Sequence, residues 1–132
     1  DSDHSQYFTY KVTDRRAVRE VAIKHGRPVA TVRIFIEGHL VENIGKPITN
    51  TLIQKVENIN ELAAKKNIVD LIKRTQKNQA DIFAFGEEVR GRHPSFWKEH
   101  VRTIEKWRKI YEDMPIDVKV VIKIRRIGTK DN

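Results

Sequence analysis

The stretch from Ile116 to Arg125 constrains this chain most. Ile116, Val118, Val120, Ile122 and Ile124 alternate with Asp117, Lys119, Lys123 and Arg125, the period of two expected of a strand with one buried face. Such a strand needs a sheet, and the other strand signals lie at the opposite end of the chain. Tyr7 to Thr13 mixes aromatic and β-branched residues, Ala17 to Lys24 places Val21 and Ile23 on one face with Arg19, and Val29 to Leu40 sets Val32, Ile34, Ile36 and Leu40 against Arg33, Phe35 and Glu37. Between Lys24 and Val29, His25-Gly26-Arg27-Pro28 supplies turn chemistry, because glycine accepts positive φ and proline cannot donate to a ladder. The segments on either side are predicted to form a hairpin, to which the closing strand must return.

The segment between reads as helical. Thr49 or Asn50 is a plausible N-cap, and Leu52, Val56, Ile59, Ala63, Leu71 and Ile72 recur at helical spacing towards Asn78. Ile82, Phe85, Gly86 and Val89 fall at i, i+3, i+4 and i+7, which favours a helix over a short aromatic strand. Gly91 and Pro94 end it, Ser95 stands where the next helix could begin, and Trp97, Val101, Ile104 and Tyr111 give that helix an apolar face, with Trp107 beside it, until Pro115. Strands, a block of helices and a final strand together predict an α+β fold: a mainly antiparallel sheet with several helices packed on one face. At 132 residues and 39% hydrophobic content, with no repeat and no linker-like stretch, the expectation is a single domain over residues 1–132. Residues 1 to 5 are polar and expected to fray.

The sequence carries little chemistry. There is no cysteine, which removes disulfides and thiolate metal sites. His4, His25, His39, His93 and His100 form no HExxH and no paired ligand set, and His93, before a proline, reads as a capping or surface residue. Ser2, Ser5 and Ser95 lie in no nucleophile elbow. Gly86 and Gly91 have the spacing of a phosphate loop, but Arg92-His93 follows where Lys and Ser or Thr are required. Glu87 and Glu88 are helix neighbours pointing about 100° apart and make no convergent acid/base pair. Neither a catalytic residue nor a metal or cofactor site is expected.

Charge is the stronger signal. Lys and Arg number 26 against 18 Asp and Glu, a net +8 with the signs interspersed, which favours anionic partners such as nucleic acid, lipid headgroups or an acidic protein face. Lys119, Lys123 and Arg125 share one face of the last strand and form a candidate basic interaction face, with Arg126 and Lys130 close by. With an exposed Phe35 as a stacking surface they could serve nucleic acid, the alternative function. Their other use is to blunt a strand edge. No apolar run approaches the roughly 20 residues that span a bilayer. The start, Asp1-Ser2-Asp3-His4, has no signal-peptide pattern and no Met, as expected of a piece of a longer protein.

Gln79-Ala80-Asp81-Ile82-Phe83-Ala84-Phe85-Gly86-Glu87, followed by His93-Pro94 and Trp97, resembles the signature region of the Ger(x)C family, the C subunits of spore nutrient-germinant receptors. The closing Val118 to Thr129, the hairpin segment Val32 to Gly38 and the long charged helix extend the likeness over most of the chain. Three features depart from the pattern: Ala84 stands where glycine is expected, Gly91 interrupts a basic stretch, and the helix from Trp97 to Pro115 is long. The resemblance implies the C-terminal domain of a lipoprotein held by an N-terminal lipid, absent from this chain, on the outer face of the spore inner membrane. It further implies integral membrane subunits as partners and a non-enzymatic role in receptor assembly and signalling during germination. An anionic membrane surface is a further possible partner, whereas nucleic acid is not favoured. Asp81, Phe83, Phe85 and Gly86 stand as a structural signature, with Phe83 or Phe85 expected to be buried and Gly86 to permit close backbone approach.

Overall fold

The structure, a computed structural model, describes residues 8–41 and 47–126. The polar start with His4, Ser2 and Ser5, Tyr7, and the closing stretch with Lys130 lie outside the described residues. Strand β1 (Thr9–Lys24) and strand β2 (Arg27–Val41) are joined by a two-residue turn. His25 and Gly26 both have positive φ, 52° and 76°, as expected of the primed turn that matches the twist of a hairpin. The two early strand segments expected from the sequence are one strand: charged Asp14-Arg15-Arg16 stays extended and exposed between them, because pairing with β2 overrides weak local propensity.

Helix α1 (Asn50–Lys77) follows, then α2 (Phe85–Arg92), the single turn α3 (Pro94–Phe96) running into a π-helical turn (Trp97–Val101), α4 (Ile104–Glu112) and strand β3 (Ile116–Arg125). The strand order is β1-β2-β3. Near the strand starts the Ala30 N–H donates to the Pro115 carbonyl at 2.9 Å, and further along both strands Glu37 meets Arg125. β3 therefore runs alongside β2 in the same direction, a pairing that requires a long crossover, which the helix block supplies. Together these elements make the α+β fold, built on the antiparallel hairpin.

Two compact units divide these elements: residues 1–17, 34–66 and 120–132 in the first, 18–33 and 67–119 in the second. Each strand and α1 contributes one part to each. In the first unit Phe8, Leu40, Ile53, Val56, Ile122 and Ile124 form the core, with Tyr10, Ile36, Ile48, Leu52 and Val120 packed against it. In the second, Val21, Val32, Ile72, Phe85, Val89, Trp107, Tyr111 and Val118 are buried.

The inward line of α1 differs from the expected one. It runs through Ile53, Val56, Asn60, Ala64, Ile68, Ile72 and Thr75, steps of three and four that follow the helical period. Ile59, Ala63 and Leu71 point out, and Leu62 is 71% exposed. Asn60 is accommodated because its amide donates to the Val56 carbonyl at 2.9 Å. The Thr49 hydroxyl accepts from the Leu52 N–H at 3.1 Å and caps the helix start.

Candidate functional site

The signature segment lies in the second unit and is organised by one carboxylate. Asp81 Oδ1 accepts the Phe85 N–H at 2.9 Å, while Oδ2 accepts the Gly86 N–H at 2.7 Å and the Trp107 indole N–H at 2.9 Å. A carboxylate at the start of a helix satisfies orphan N–H groups and complements the helix dipole. α2 therefore begins at Phe85, and Ile82, expected on its apolar face, precedes the helix and is exposed. Phe85 is fully buried and its ring lies 6.3 Å from that of Tyr111, while half-buried Phe83 packs beside it at 5.7 Å. A Cβ on Gly86 would stand 2.8 Å from Trp107 Nε1, so a hydrogen there is what lets the indole reach Asp81.

Ala84, at the N-cap of α2, has φ 58° and ψ 42°, left-handed backbone that glycine adopts without strain. The glycine expected here from the resemblance would meet no such strain. The Arg19 guanidinium donates to the Ala84 carbonyl at 3.3 Å. His93 closes α2 through its N–H to the Val89 carbonyl at 2.8 Å, and its ring Nε2–H donates to the Val21 carbonyl at 2.7 Å, tying α2 to β1. Beyond it the predicted single helix is interrupted. Arg102 has φ 70°, and the Thr103 hydroxyl accepts from the Lys106 N–H at 3.1 Å to start α4 afresh. Ser95 caps nothing, and Ile104 is exposed rather than on a buried face.

These pieces enclose a cleft of about 540 Å³ lined by the Asn78–Asp81 turn, Ala84, Gly86, Glu87, Trp97, Ile104, Trp107 and Arg108, within the range of small-molecule sites. Trp97 and Trp107 pack on one another at 5.9 Å. Sequence reasoning missed this cleft because its residues come from three elements, joined by the Asp81 contacts.

The basic residues of β3 behave differently. Lys119, Lys123 and Arg125 are exposed at alternate positions, but Arg125 is ion-paired with Glu37, leaving the two lysines without a partner among the described residues. Arg126 donates to the Ile48 carbonyl and to Asn50 Oδ1. Phe35 is half-buried and the Arg16 guanidinium covers its ring at 5.2 Å, so it is not the open stacking surface expected. The free edge of β3 is occupied by carboxylates of α1. Glu61 accepts the Ile122 N–H at 2.9 Å and Glu57 accepts the Ile124 N–H at 2.8 Å. Among the described residues no three His, Cys, Asp or Glu side chains stand together as metal ligands, and no helix is long and apolar enough to cross a membrane.

The fold defines the class first: an α+β domain similar to a chain in a structure titled "Crystal Structure of the GerBC protein", with a TM-score of 0.72 and 18% identity over 90% of this chain and 36% of that one. The family model described as spore germination B3/GerAC-like, C-terminal, matches residues 1–128, and the chain belongs to that family. A curated relative, spore germination protein KC of Bacillus subtilis (strain 168), is 28% identical over 114 residues, covering 83% of this chain and 27% of the relative. The chain thus spans about a quarter to a third of the length of the proteins it matches.

Proposed function

We propose that the chain is the C-terminal domain of the lipid-anchored C subunit of a nutrient-germinant receptor, acting by assembly and signalling rather than by catalysis. The family match over residues 1–128 carries this reading. It is supported by the way the signature segment is spent on structure, since the acceptors of Asp81 are taken by Phe85, Gly86 and Trp107 of the same unit and hold no nucleophile or proton donor for a substrate. The partners proposed are the receptor's integral membrane subunits, at the outer face of the spore inner membrane, with residues 1–132 acting as a single domain. Co-expression of the tagged full-length subunit with the membrane subunits encoded beside it tests the proposal. Retention of those subunits through detergent purification is expected, and weaker retention when this domain is deleted. Unchanged retention after the deletion overturns the assembly role, and appreciable nucleic-acid affinity at physiological salt, falling steeply as salt rises, establishes the nucleic-acid alternative instead.

A further inference from the structure

The cleft of the second unit has features that packing alone does not require. Among the described residues four non-glycine positions have positive φ, and two of them, Gln79 at 56° and Ala84 at 58°, line this cleft. Left-handed backbone in ordinary residues is costly and concentrates at ligand-binding sites. Trp97, a third wall residue, opens the π-helical turn Trp97–Val101, a distortion that also recurs at functional sites. Ala80, Ala84 and Gly86 are small and Trp107 is buried against Gly86, so the accessible apolar surface is that of Ile104 and the half-buried Trp97.

The charges around that wall are unevenly engaged. Asp81 already accepts three donors from its own unit. Glu87 pairs with Arg90 at 3.9 Å, and the Arg90 guanidinium lies 5.8 Å from the centre of the Trp97 ring. Arg108 and the side-chain amides of Asn78 and Gln79 line the cleft without any partner among the described residues. The groups left open are thus one guanidinium, which binds carboxylates bidentately, two amides that donate or accept, and the apolar surface of Ile104 with the exposed part of Trp97.

We propose that this cleft binds a small organic carboxylate with a flat apolar body, the carboxylate on Arg108 and the body against Ile104 and the exposed part of the Trp97 indole. The proposal does not depend on the receptor reading, because it rests on the geometry of one unit.

The chain has only two tryptophans, and both line the cleft, so intrinsic fluorescence reports occupancy directly. The chain is titrated with 3-phenylpropionate, its uncharged analogue 3-phenylpropionamide, and phenethylamine. Saturable change with the carboxylate is expected, with the amide about tenfold weaker, the loss of one charge-assisted contact. Arg108→Gln, at an exposed position, should weaken the carboxylate about tenfold and leave the amide unchanged, whereas Arg108→Lys should retain part of the preference. Heteronuclear NMR on the same samples checks that the variants keep the fold. Absence of saturation with the carboxylate up to about 10 mM, weaker than any useful site, overturns the proposal. So does equal carboxylate affinity in Arg108→Gln, or tighter binding of the amine.

Discussion

A single carboxylate, Asp81, decides where α2 begins and where Trp107 lies. Asp81→Ala leaves the N–H groups of Phe85 and Gly86 and the Trp107 indole without their acceptor, so a loss of about 2–4 kcal/mol is expected in urea unfolding. Three residues on, Ala84→Gly should act in the opposite sense. Relief of the left-handed backbone gives about 1–2 kcal/mol, and the greater freedom of the unfolded chain takes back about 0.5–1 kcal/mol, so a net gain of roughly half to one kcal/mol is expected. Unchanged or lower stability would show that the helix start relaxes without help. The tyrosines predict alkaline behaviour. Burial raises the Tyr111 hydroxyl above its usual 10.0; the hydrogen bond with Thr75 opposes that and the Asp81 charge adds to it, while burial alone raises Tyr10. Above about pH 10 the unfolded chain releases tyrosine protons that the folded chain keeps, so this stability is present below that pH and is lost as pH climbs through the folded values. Each tyrosine contributes a slope of at most about 1.4 kcal/mol per pH unit. Melting curves between about pH 9 and 11 should fall less steeply for Tyr111→Phe than for wild type.

At the level of elements, α1 closes the β3 edge. Glu57 and Glu61 are one helical turn apart and accept the N–H groups of Ile124 and Ile122, the groups an incoming strand would take. Replacing both by Ala should cost about 1–3 kcal/mol per lost acceptor and open the edge, read as concentration-dependent association in sedimentation velocity, whereas Gln at both positions should keep the chain monomeric because its carbonyl still accepts. The sequence did not reveal this arrangement. It pointed to the β3 lysines as the edge protectors, because periodicity places residues on a face of their own element but not beside another one. The same limit explains the rest. Val32, Leu40, Val118, Ile122 and Ile124 were legible from alternation and are buried. The inward line of α1 was not, since Ile59 and Leu71 are more apolar than Asn60 and Ala64 and drew the helical stripe onto the wrong side. The break at Arg102 was hidden because Arg102-Thr103 carries no glycine or proline, and the cleft was hidden because its walls meet only through tertiary contacts.

For the whole molecule, a net charge of +8 and membership in a spore-germination family raise the question of what the basic surface meets. Lys119 and Lys123 are exposed on β3 and have no partner among the described residues, while Arg125 is held by Glu37. The usable charge on that strand is therefore about two cations, each worth about 1 kcal/mol when close to anionic headgroups, so partitioning onto anionic vesicles should exceed that onto neutral ones about thirtyfold. The effect should fade as salt rises, because at physiological ionic strength the field decays over about 8 Å. Lys119→Gln with Lys123→Gln should remove most of the difference, whereas substitutions of Arg15 and Arg16, exposed on β1, should remove less if β3 carries the contact. Co-sedimentation with vesicles of phosphatidylglycerol and phosphatidylcholine, at low and physiological salt, reads all three comparisons. Equal binding to both lipids, or none at low salt, would assign this charge to a protein partner. In that case the two lysines, standing beside an edge already closed by Glu57 and Glu61, would be free to meet acidic side chains without inviting strand addition.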